Sequence, residues 1–289
     1  MPKTLEIILG PTAVGKTGYA VARALEVGSP VISCDSRQIY QGLTIGTAAP
    51  SEEERAAVRH YFIGTVPVTQ NYTAGIYETE ALELVNRLFA EGHEHLVMCG
   101  GSMLYIDAFC YGLDDFPEVP MQLRRHLMDC LQSEGVDVLA QQLKELDPVS
   151  YEELDLSNGQ RVVRALEVSM YTGQPFSSFK TRSFKQRSFR IVKTGLERPR
   201  EQLYARINAR VEQMVADGLE GEARAMLPHR ELPALQTVGY REFFEYFDGK
   251  YDLETTIRHI QANTRHYAKR QLTWWRRDAD IRWVDVSSE

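Results

Sequence analysis

The chain has 289 residues, 43% of them hydrophobic and 25% charged, with a formal net charge of −7. This composition is too apolar for a disordered chain, and 20 glycines are too few for a collagen. No run approaches the roughly 18 apolar residues of a membrane span, and the first ten residues lack the apolar stretch of a secretory signal. Four cysteines without a C-x-x-C pair favour neither a metal site nor a disulfide framework, so we expect a cytoplasmic protein.

The first third of the chain alternates short apolar segments with helical ones. We predict strands at residues 5–9, 31–34 and 96–99, and helices at 16–25 and 74–90. Such alternation is typical of a parallel sheet with helices on both faces. The predicted fold class is therefore α/β, with a P-loop-type parallel sheet and a helical insertion domain.

A different pattern occupies residues 113–186, which we interpret as the helical insertion. Helical periodicity there is interrupted by polar joints that contain proline, and the predicted helices are 121–133, 136–146 and 159–171. A strand at 189–196 returns to the sheet, so residues 1–112 and 187–289 form the predicted core. Further helices are predicted at 200–217, 219–226, 240–247 and 253–275.

Basic residues are concentrated in two segments of an otherwise acidic chain. Residues 180–200 contain eight Lys or Arg and one acid, and residues 255–277 contain six Lys or Arg and no acid. The remainder holds 19 basic and 39 acidic residues. This distribution predicts a local surface for a polyanion, with a solvated helix face as the alternative interpretation.

The segment after the first predicted strand matches the phosphate-binding pattern G-x-x-x-x-G-K-[ST]. Its residues are Gly10, Pro11, Thr12, Ala13, Val14, Gly15, Lys16 and Thr17. The N–H groups of such a loop and the N-terminus of the next helix attract phosphate. Lys16 adds a full charge, and the Thr17 hydroxyl can hold Mg²⁺. ATP is the usual ligand, but any compound that carries a diphosphate meets the same electrostatic requirement.

Asp35 directly follows the second predicted strand. Ligands of an open parallel sheet bind beyond the carboxyl ends of its strands, so Asp35 is expected to face the same crevice as the phosphate loop. Three roles are open at this point: an outer-sphere Mg²⁺ ligand, a general base, or a cap of the following helix.

Six sequence blocks occur in order over nearly the whole chain. After the phosphate loop they are SCDSRQIY at 33–40 with IGTAAP at 45–50, GGSMLY at 100–105, NGQRVVRALE at 158–167, VGYRE at 238–242 and TRHYAKRQLTW at 264–274. This series resembles the tRNA dimethylallyltransferases, also called isopentenyltransferases. Members of that family transfer a dimethylallyl group from its diphosphate to N6 of the adenosine 3′-adjacent to the anticodon, at position 37 of the tRNA.

The resemblance implies an enzyme that takes dimethylallyl diphosphate and a tRNA anticodon stem-loop, and that uses Mg²⁺ as cofactor. It would release diphosphate and N6-dimethylallyladenosine, acting as a cytoplasmic monomer without a membrane partner. Two other enzymes remain alternatives: a prenyltransferase acting on free adenine nucleotide, and an ATP-dependent small-molecule kinase using the same loop. A non-enzymatic RNA-binding adaptor is the last alternative.

The resemblance also implies roles for individual residues. The phosphate loop would bind the donor diphosphate, with Lys16 and Thr17 acting in catalysis. Asp35 would accept the proton from the adenine N6, Arg210 would clamp the diphosphate, and Ser102, where the family usually has threonine, would lie near the transferred group. The residues implied to contact tRNA are Asp35, Ser36, Arg37, Gln38, Ser102, Arg124, Gln160, Arg161, Val162, Val163, Arg164, Thr237, Val238, Gly239, Tyr240 and Arg241.

Overall fold

A computed structural model of the protein describes residues 3–114, 116–180 and 185–287, and the chain divides into two units. The sheet unit comprises Met1–Cys110 and Gln186–Glu289, and the helical unit comprises Tyr111–Lys185. The sequence-based limits of the insertion, residues 113 and 186, differ from these by two residues and one residue. Within the described ranges, no helix combines the length and apolar character needed to cross a membrane.

Six strands of the described sheet unit form one parallel sheet in the order β3-β2-β4-β1-β5-β6. Their bounds are β1 Thr4–Leu9, β2 Val31–Ser33, β3 His60–Tyr61, β4 His95–Gly100, β5 Arg190–Glu197 and β6 Ile281–Asp285. The predicted α/β class with a parallel sheet is confirmed. The sequence patterns missed β3 and β6, because both are short strands at the sheet edges and neither carries a continuous apolar run.

Twelve α-helices occur in the described residues. They are α1 Lys16–Val27, α2 Glu52–Ala57, α3 Ala74–Ala90, α4 Met103–Tyr111, α5 Met121–Glu134, α6 Val136–Leu146, α7 Pro148–Glu153, α8 Gly159–Thr172, α9 Arg200–Ala216, α10 Leu219–Met226, α11 Tyr240–Phe247 and α12 Leu253–Trp275. Sequence analysis did not predict α2, α4 or α7. The sequence of α2, EEERAA, has no apolar face and depends on a capping box between Ser51 and Glu54.

The register of the central strands brings three loops to one edge of the sheet. Leu9 of β1 lies opposite Gly100 of β4, and Ser33 of β2 lies opposite Cys99. The residues that follow β1, β2 and β4 therefore begin at the same level. Since ligands of parallel sheets bind beyond the carboxyl ends of the strands, this edge is where a binding site is expected.

Part of the first basic segment is used inside the sheet unit. The Arg187 guanidinium donates to Glu78 at 2.9 Å and to the carbonyl of Phe109 at 2.8 Å, and Lys193 donates to Asp278 at 2.6 Å. Both cations are largely buried. A polyanion surface built from these two residues is therefore a wrong prediction, because they serve as internal ion pairs. Arg182 of the same segment lies outside the described residues.

Asp147 organises a corner of the helical unit. It is fully buried and caps α7, with its Oδ1 accepting hydrogen bonds from Ser150 N at 3.0 Å and Ser177 Oγ at 2.7 Å. Its Oδ2 accepts from Ser177 N at 2.7 Å, and Pro148 occupies the first helical position. Burial alone would raise the pKa of Asp147, but the hydrogen bonds from Ser150 and Ser177 bring that pKa below its ordinary value. The polar joint seen in the sequence is thus a helix start.

We expect Asp147→Asn to destabilise the protein by about 1–3 kcal/mol, because an amide cannot accept all three hydrogen bonds. The folded-state pKa lies below the unfolded value of about 3.9. The contribution is therefore complete above that pH and is lost as the pH falls through the folded pKa. Chemical denaturation at pH 7 and at pH 3 would measure both effects. The exposed Asp155→Asn variant is the control, and an equal loss in both variants would contradict the assignment.

Candidate active site

A cavity of about 430 Å³ lies in the sheet unit beyond the ends of β1, β2 and β4. Many of the residues singled out in the sequence line it, namely Thr12, Ala13, Gly15, Lys16, Thr17, Asp35, Ser36, Arg37, Gln38, Arg210, Thr237, Val238, Gly239 and Arg241. Side chains from α9, α10 and α12 complete the walls. The fold therefore collects residues that are more than 200 positions apart along the chain into one site.

The phosphate loop leaves β1 through a glycine that no other residue can replace without strain. Gly10 has φ of 149°, and a Cβ atom placed there would lie 2.7 Å from the carbonyl oxygen of Leu196 in the neighbouring strand β5. Gly15, with φ of 113°, then caps the N-terminus of α1. The loop thus directs the start of α1, with its partial positive charge, at the cavity.

Three distant side chains satisfy the backbone of this loop. Arg206 Nε donates to the carbonyl of Ala13 and Arg198 Nε donates to that of Val14, each at 2.9 Å. The Oε1 atom of Gln271 accepts from the N–H of Thr12 at 2.9 Å. These contacts fix the backbone of the loop; Gln271 lines the cavity, whereas Arg198 and Arg206 do not.

Gln271 also connects the phosphate loop to the end of β4. Its side chain is 1% exposed, and its Nε2 donates to the carbonyl of Gly101 at 2.7 Å. One carboxamide therefore joins two of the three loops that surround the cavity. Both of its polar atoms are used, so its orientation is determined by the hydrogen bonds alone.

Two cations face the cavity close to each other. Lys16 Nζ donates to the carbonyls of Gly10 and Pro11, both at 2.9 Å. Burial lowers the pKa of Lys16, and the neighbouring Arg210 lowers it further. Burial also lowers the pKa of Arg210, which has no hydrogen bond or ion pair with any residue of the described ranges. Partly desolvated cations without a carboxylate partner form a site prepared for an anion.

Asp35 uses one carboxylate oxygen as a cap. Its Oδ1 accepts from the N–H groups of Arg37 at 2.8 Å and Gln38 at 3.2 Å, which fixes the turn after β2. No donor among the described residues contacts Oδ2. Residues 36–39 form a turn, and the next helix, α2, begins only at Glu52, so Asp35 holds a turn and does not cap a following helix as one of the three expectations had it. The second oxygen is left for chemistry in the cavity.

Two predicted site residues lie behind the cavity wall. Ser102 is 7% exposed and does not line the cavity; its Oγ accepts from Ser36 N at 2.7 Å and contacts Ser36 Oγ at 3.0 Å. Tyr240 is fully buried, and its hydroxyl donates to Glu222 at 2.5 Å. Both side chains contact residues that do line the cavity, Ser36 and Gly46. The placement of Ser102 beside the transferred group and the RNA contact of Tyr240 stay predictions.

The remaining predicted residues belong to the helical unit. Arg124 and Arg164 both donate to Oε1 of the buried Glu167, at 3.1 and 2.6 Å, and keep exposed surface. Gln160 and Arg161 are exposed. The side chains of Val162 and Val163, however, are fully buried in the core of this unit, so a tRNA contact through them is a wrong prediction. Periodicity places them on the apolar face of α8.

Comparison with known proteins identifies the family. The family model described as IPP transferase matches residues 38–278. This chain belongs to the IPP transferase family. The resemblance drawn from the six sequence blocks is thereby confirmed.

Relatives of this IPP transferase family member extend the match to the phosphate loop and Asp35, which precede the region of the family model. The chain is 51% identical over 286 residues to tRNA dimethylallyltransferase 2 of Porphyromonas gingivalis, covering 99% of this chain and 95% of that one. It is 46% identical over 287 residues to tRNA dimethylallyltransferase 1 of Bacteroides fragilis, covering 99% and 95%.

Solved structures agree with this assignment. The full-length tRNA isopentenylpyrophosphate transferase from Bacillus halodurans matches with a TM-score of 0.71 and 35% identity, covering 99% of this chain and 91% of that one. A eukaryotic dimethylallyltransferase, described as acting on tRNA, matches with a TM-score of 0.80 and 25% identity, covering 99% and 74%.

Sequence reasoning did not find Arg198, Arg206, Gln271 or Glu222 as parts of the site. Gln271 lies within the block at 264–274 that resembles the family, but the sequence does not show which residues it contacts. The contacts of these residues with the cavity loops span between 170 and 259 positions of the chain. Patterns among neighbouring residues in the sequence do not predict contacts between residues this far apart along the chain.

Replacing Gln271 with Leu is expected to weaken the binding of inorganic diphosphate by on the order of tenfold. The variant removes the partner of the Thr12 N–H and the shorter of two hydrogen bonds to the Gly101 carbonyl, which keeps the Tyr267 hydroxyl as a donor. A lost buried hydrogen bond typically costs about 1–3 kcal/mol. Titration calorimetry would measure the dissociation constant. The control is Gln261→Leu on the same helix, where the side chain bonds to Asn208 and Glu212 instead. Unchanged affinity in the Gln271 variant would refute the bridging role.

Proposed function

We propose that this chain is a tRNA dimethylallyltransferase, which transfers a dimethylallyl group from dimethylallyl diphosphate to N6 of the adenosine at position 37 of its tRNA substrates. One observation carries the proposal: the phosphate loop, Arg210 and Asp35 line the same cavity. Among the described residues, Arg210 has no hydrogen-bond or ion-pair partner and one oxygen of Asp35 has no donor. Relatives about half identical over nearly the full length carry this name. A cytoplasmic location and a monomeric state belong to the same proposal.

The donor half of the cavity suits a diphosphate leaving group. As the allylic C–O bond breaks, negative charge develops on the diphosphate. Lys16 and Arg210 line the cavity with residues of the loop, so they would stabilise the transition state more than the bound substrate. Arg210 needs no rearrangement to contribute, because no described residue competes for its guanidinium.

The Thr17 hydroxyl lines the cavity at the first turn of α1 and is the residue that would hold Mg²⁺. No cluster of three His, Cys, Asp or Glu side chains suited to a metal exists in the described part of the chain. A single hydroxyl fits Mg²⁺ nevertheless, since this ion usually takes few protein ligands together with phosphate oxygens and water. When bound, it would supply further charge neutralisation for the leaving group.

The acceptor half centres on Asp35. The adenine amine is a weak nucleophile because its lone pair is delocalised into the ring. A carboxylate oxygen within hydrogen-bond reach accepts the N6 proton as the new C–N bond forms, an effect of about 10²–10⁴-fold in rate. Oδ1 is committed to the turn, so Oδ2 is the oxygen that would take the proton.

RNA contacts in the proposal come from two places. In the sheet unit they are the cavity-lining Ser36, Arg37, Gln38, Thr237, Val238, Gly239 and Arg241. In the helical unit they are Arg124, Gln160, Arg161 and Arg164, whose side chains are at least partly exposed. An adenine that leaves its stack to enter the cavity costs a few kcal/mol, which contacts to the flanking nucleotides would offset.

The proposal is tested by incubating the full chain with labelled dimethylallyl diphosphate, Mg²⁺ and an anticodon stem-loop that carries adenosine at position 37. Parallel reactions use AMP as acceptor, or ATP as donor with nucleosides. Label in the RNA supports the proposal. Label in AMP alone would indicate a prenyltransferase of free nucleotides, ATP turnover alone would indicate a kinase, and either result would overturn it.

Asp35→Ala is expected to lower the transfer rate by about 10²-fold or more, since it removes the proposed base. Stem-loop affinity, measured by filter binding, should change only a fewfold. Asp114→Ala, a substitution outside the cavity, is the control. Loss of RNA binding without a change in turnover would assign Asp35 to recognition instead of catalysis.

Diphosphate affinity should depend on pH through Lys16. Its pKa lies below the ordinary lysine value of 10.5, and only the protonated form attracts the anion. Affinity is therefore constant well below this lowered pKa and falls as the pH rises through it. Dissociation constants measured from pH 7 to pH 10 would show the decline in the wild type and a flatter profile in Lys16→Arg, which keeps its charge. Parallel profiles would contradict the role of Lys16.

A further inference from the structure

Glu222, on α10, collects four hydrogen bonds with one carboxylate. Its Oε2 accepts from the N–H groups of Thr44 at 2.9 Å and Ile45 at 2.8 Å. Its Oε1 accepts from Gly46 N at 2.9 Å and from the Tyr240 hydroxyl at 2.5 Å. Three consecutive backbone amides thus converge on one anion, the arrangement of an anion-binding nest, with the anion supplied by the protein itself.

The turn held in this way forms part of the cavity wall. Gly46, Thr47 and Ala48 line the cavity. The carbonyls of Thr47 and Ala48 accept hydrogen bonds from Gln38 Nε2, at 3.2 and 3.0 Å. The N–H of Gln38 in turn donates to Asp35. A continuous series of hydrogen bonds therefore leads from Glu222, through the turn and Gln38, to the carboxylate proposed as the base.

Gly46 of this turn packs closely against Tyr240. A Cβ atom at Gly46 would lie 2.7 Å from the ring of Tyr240, which is itself fully buried in the sheet unit. Burial and the neighbouring Glu222 raise the pKa of Tyr240, so its hydroxyl stays a donor to Glu222 at neutral pH. The backbone of the turn rests directly on the aromatic ring while its amides point to the carboxylate.

We propose that Glu222 is a positioning residue for the acceptor side of the cavity: it sets the turn at 44–48, which aligns Gln38 and, through it, Asp35. The proposal rests on the function proposed above, because it assigns Glu222 to acceptor geometry and not to diphosphate binding. Glu222 does not line the cavity. None of its partners belongs to the phosphate loop.

The proposal requires a carboxylate and not merely a polar side chain. A carboxylate offers about four lone-pair sites on two oxygens, whereas a carboxamide offers one accepting oxygen and an NH₂ group. In Glu222→Gln, that NH₂ group would face an N–H or O–H donor, and at least one amide of the turn would lose its partner. The turn would then shift, although the size of the side chain is unchanged.

The experiment compares Glu222→Gln with wild type in the transfer assay. We expect kcat to fall on the order of 10- to 100-fold and the KM for the stem-loop to rise, since a displacement of about 1 Å at a reacting group costs rates of that size. The dissociation constant for inorganic diphosphate should remain within twofold. Equal losses in diphosphate and stem-loop binding would mean general destabilisation and would overturn the proposal, as would unchanged kinetics.

The matched control is Glu220→Gln on the same helix, whose carboxylate pairs with Arg224 at the surface. It should behave as wild type. Tyr240→Phe removes one of the four donors and keeps the three amides, so a smaller loss than in Glu222→Gln is expected. Combining Glu222→Gln with Gln38→Leu should cost less than the two single losses together, because both act through one series of contacts. Additive losses would contradict the connection.

Hydrogen exchange separates this proposal from the assigned activity. The amides of Thr44, Ile45 and Gly46 should exchange at least tenfold faster in Glu222→Gln, while those of the phosphate loop keep their rates. A wild-type chain that transfers no label would overturn the proposed function alone, and the exchange rates would still decide whether Glu222 positions the turn. Unchanged exchange at these three amides would overturn the positioning role.

Discussion

The phosphate loop keeps its shape because side chains satisfy its backbone. Lys16, within the loop, bonds to the carbonyls of Gly10 and Pro11, and side chains from outside the loop bond to three further residues. Its amides and the start of α1 must face an anion, so its carbonyls and its remaining N–H need other partners. Arg198, Arg206 and Gln271 provide them from β5–α9 and from α12. A buried loop without such partners would lose about 1–3 kcal/mol for each unpaired group. The C-terminal helices are therefore part of the donor site even where they do not line it.

On the acceptor side of the cavity, a loop is also held by a distant side chain, but that side chain is an anion instead of a cation. Glu222 supplies an anion to the amides of the turn at 44–46, as the two arginines supply donors to carbonyls of the phosphate loop. Both halves of the cavity are thus loops beyond the ends of parallel strands, each held by charged or amide side chains from distant parts of the chain. Arg210 and the second oxygen of Asp35 take no part in these contacts and are available to reactants.

The charged groups in the donor and acceptor halves of the cavity have different roles. Lys16 and Arg210 are held together at a cost in solvation that appears as lowered pKa values. An incoming diphosphate would relieve that cost, and the relief increases as its charge increases during bond cleavage. On the other side, two backbone N–H groups orient the carboxylate of Asp35. The cavity is consequently arranged for charge that separates between a leaving anion and an incoming amine.

Order along the chain was enough to predict the parallel sheet, the phosphate loop and the placement of Asp35. Each depends on a strand, a turn and a helix that are consecutive, and local backbone geometry links them. The blocks shared with the family also pointed to Gln38, Thr237 and Arg241 as lining residues. The sequence did not predict the short edge strands or the capped helix α2. Their stability comes from neighbouring strands and from capping residues, and not from a periodic pattern of apolar residues.

Packing decided what those patterns left open. Val162 and Val163 stand in a block rich in arginine, yet the fold turns them into the core of the helical unit. Ser102 and Tyr240 resemble site residues in sequence but lie behind the wall, and Glu222 and Gln271 hold the walls in place. Which side chain meets which loop depends on contacts between different segments of the chain, and only the folded chain brings those segments together.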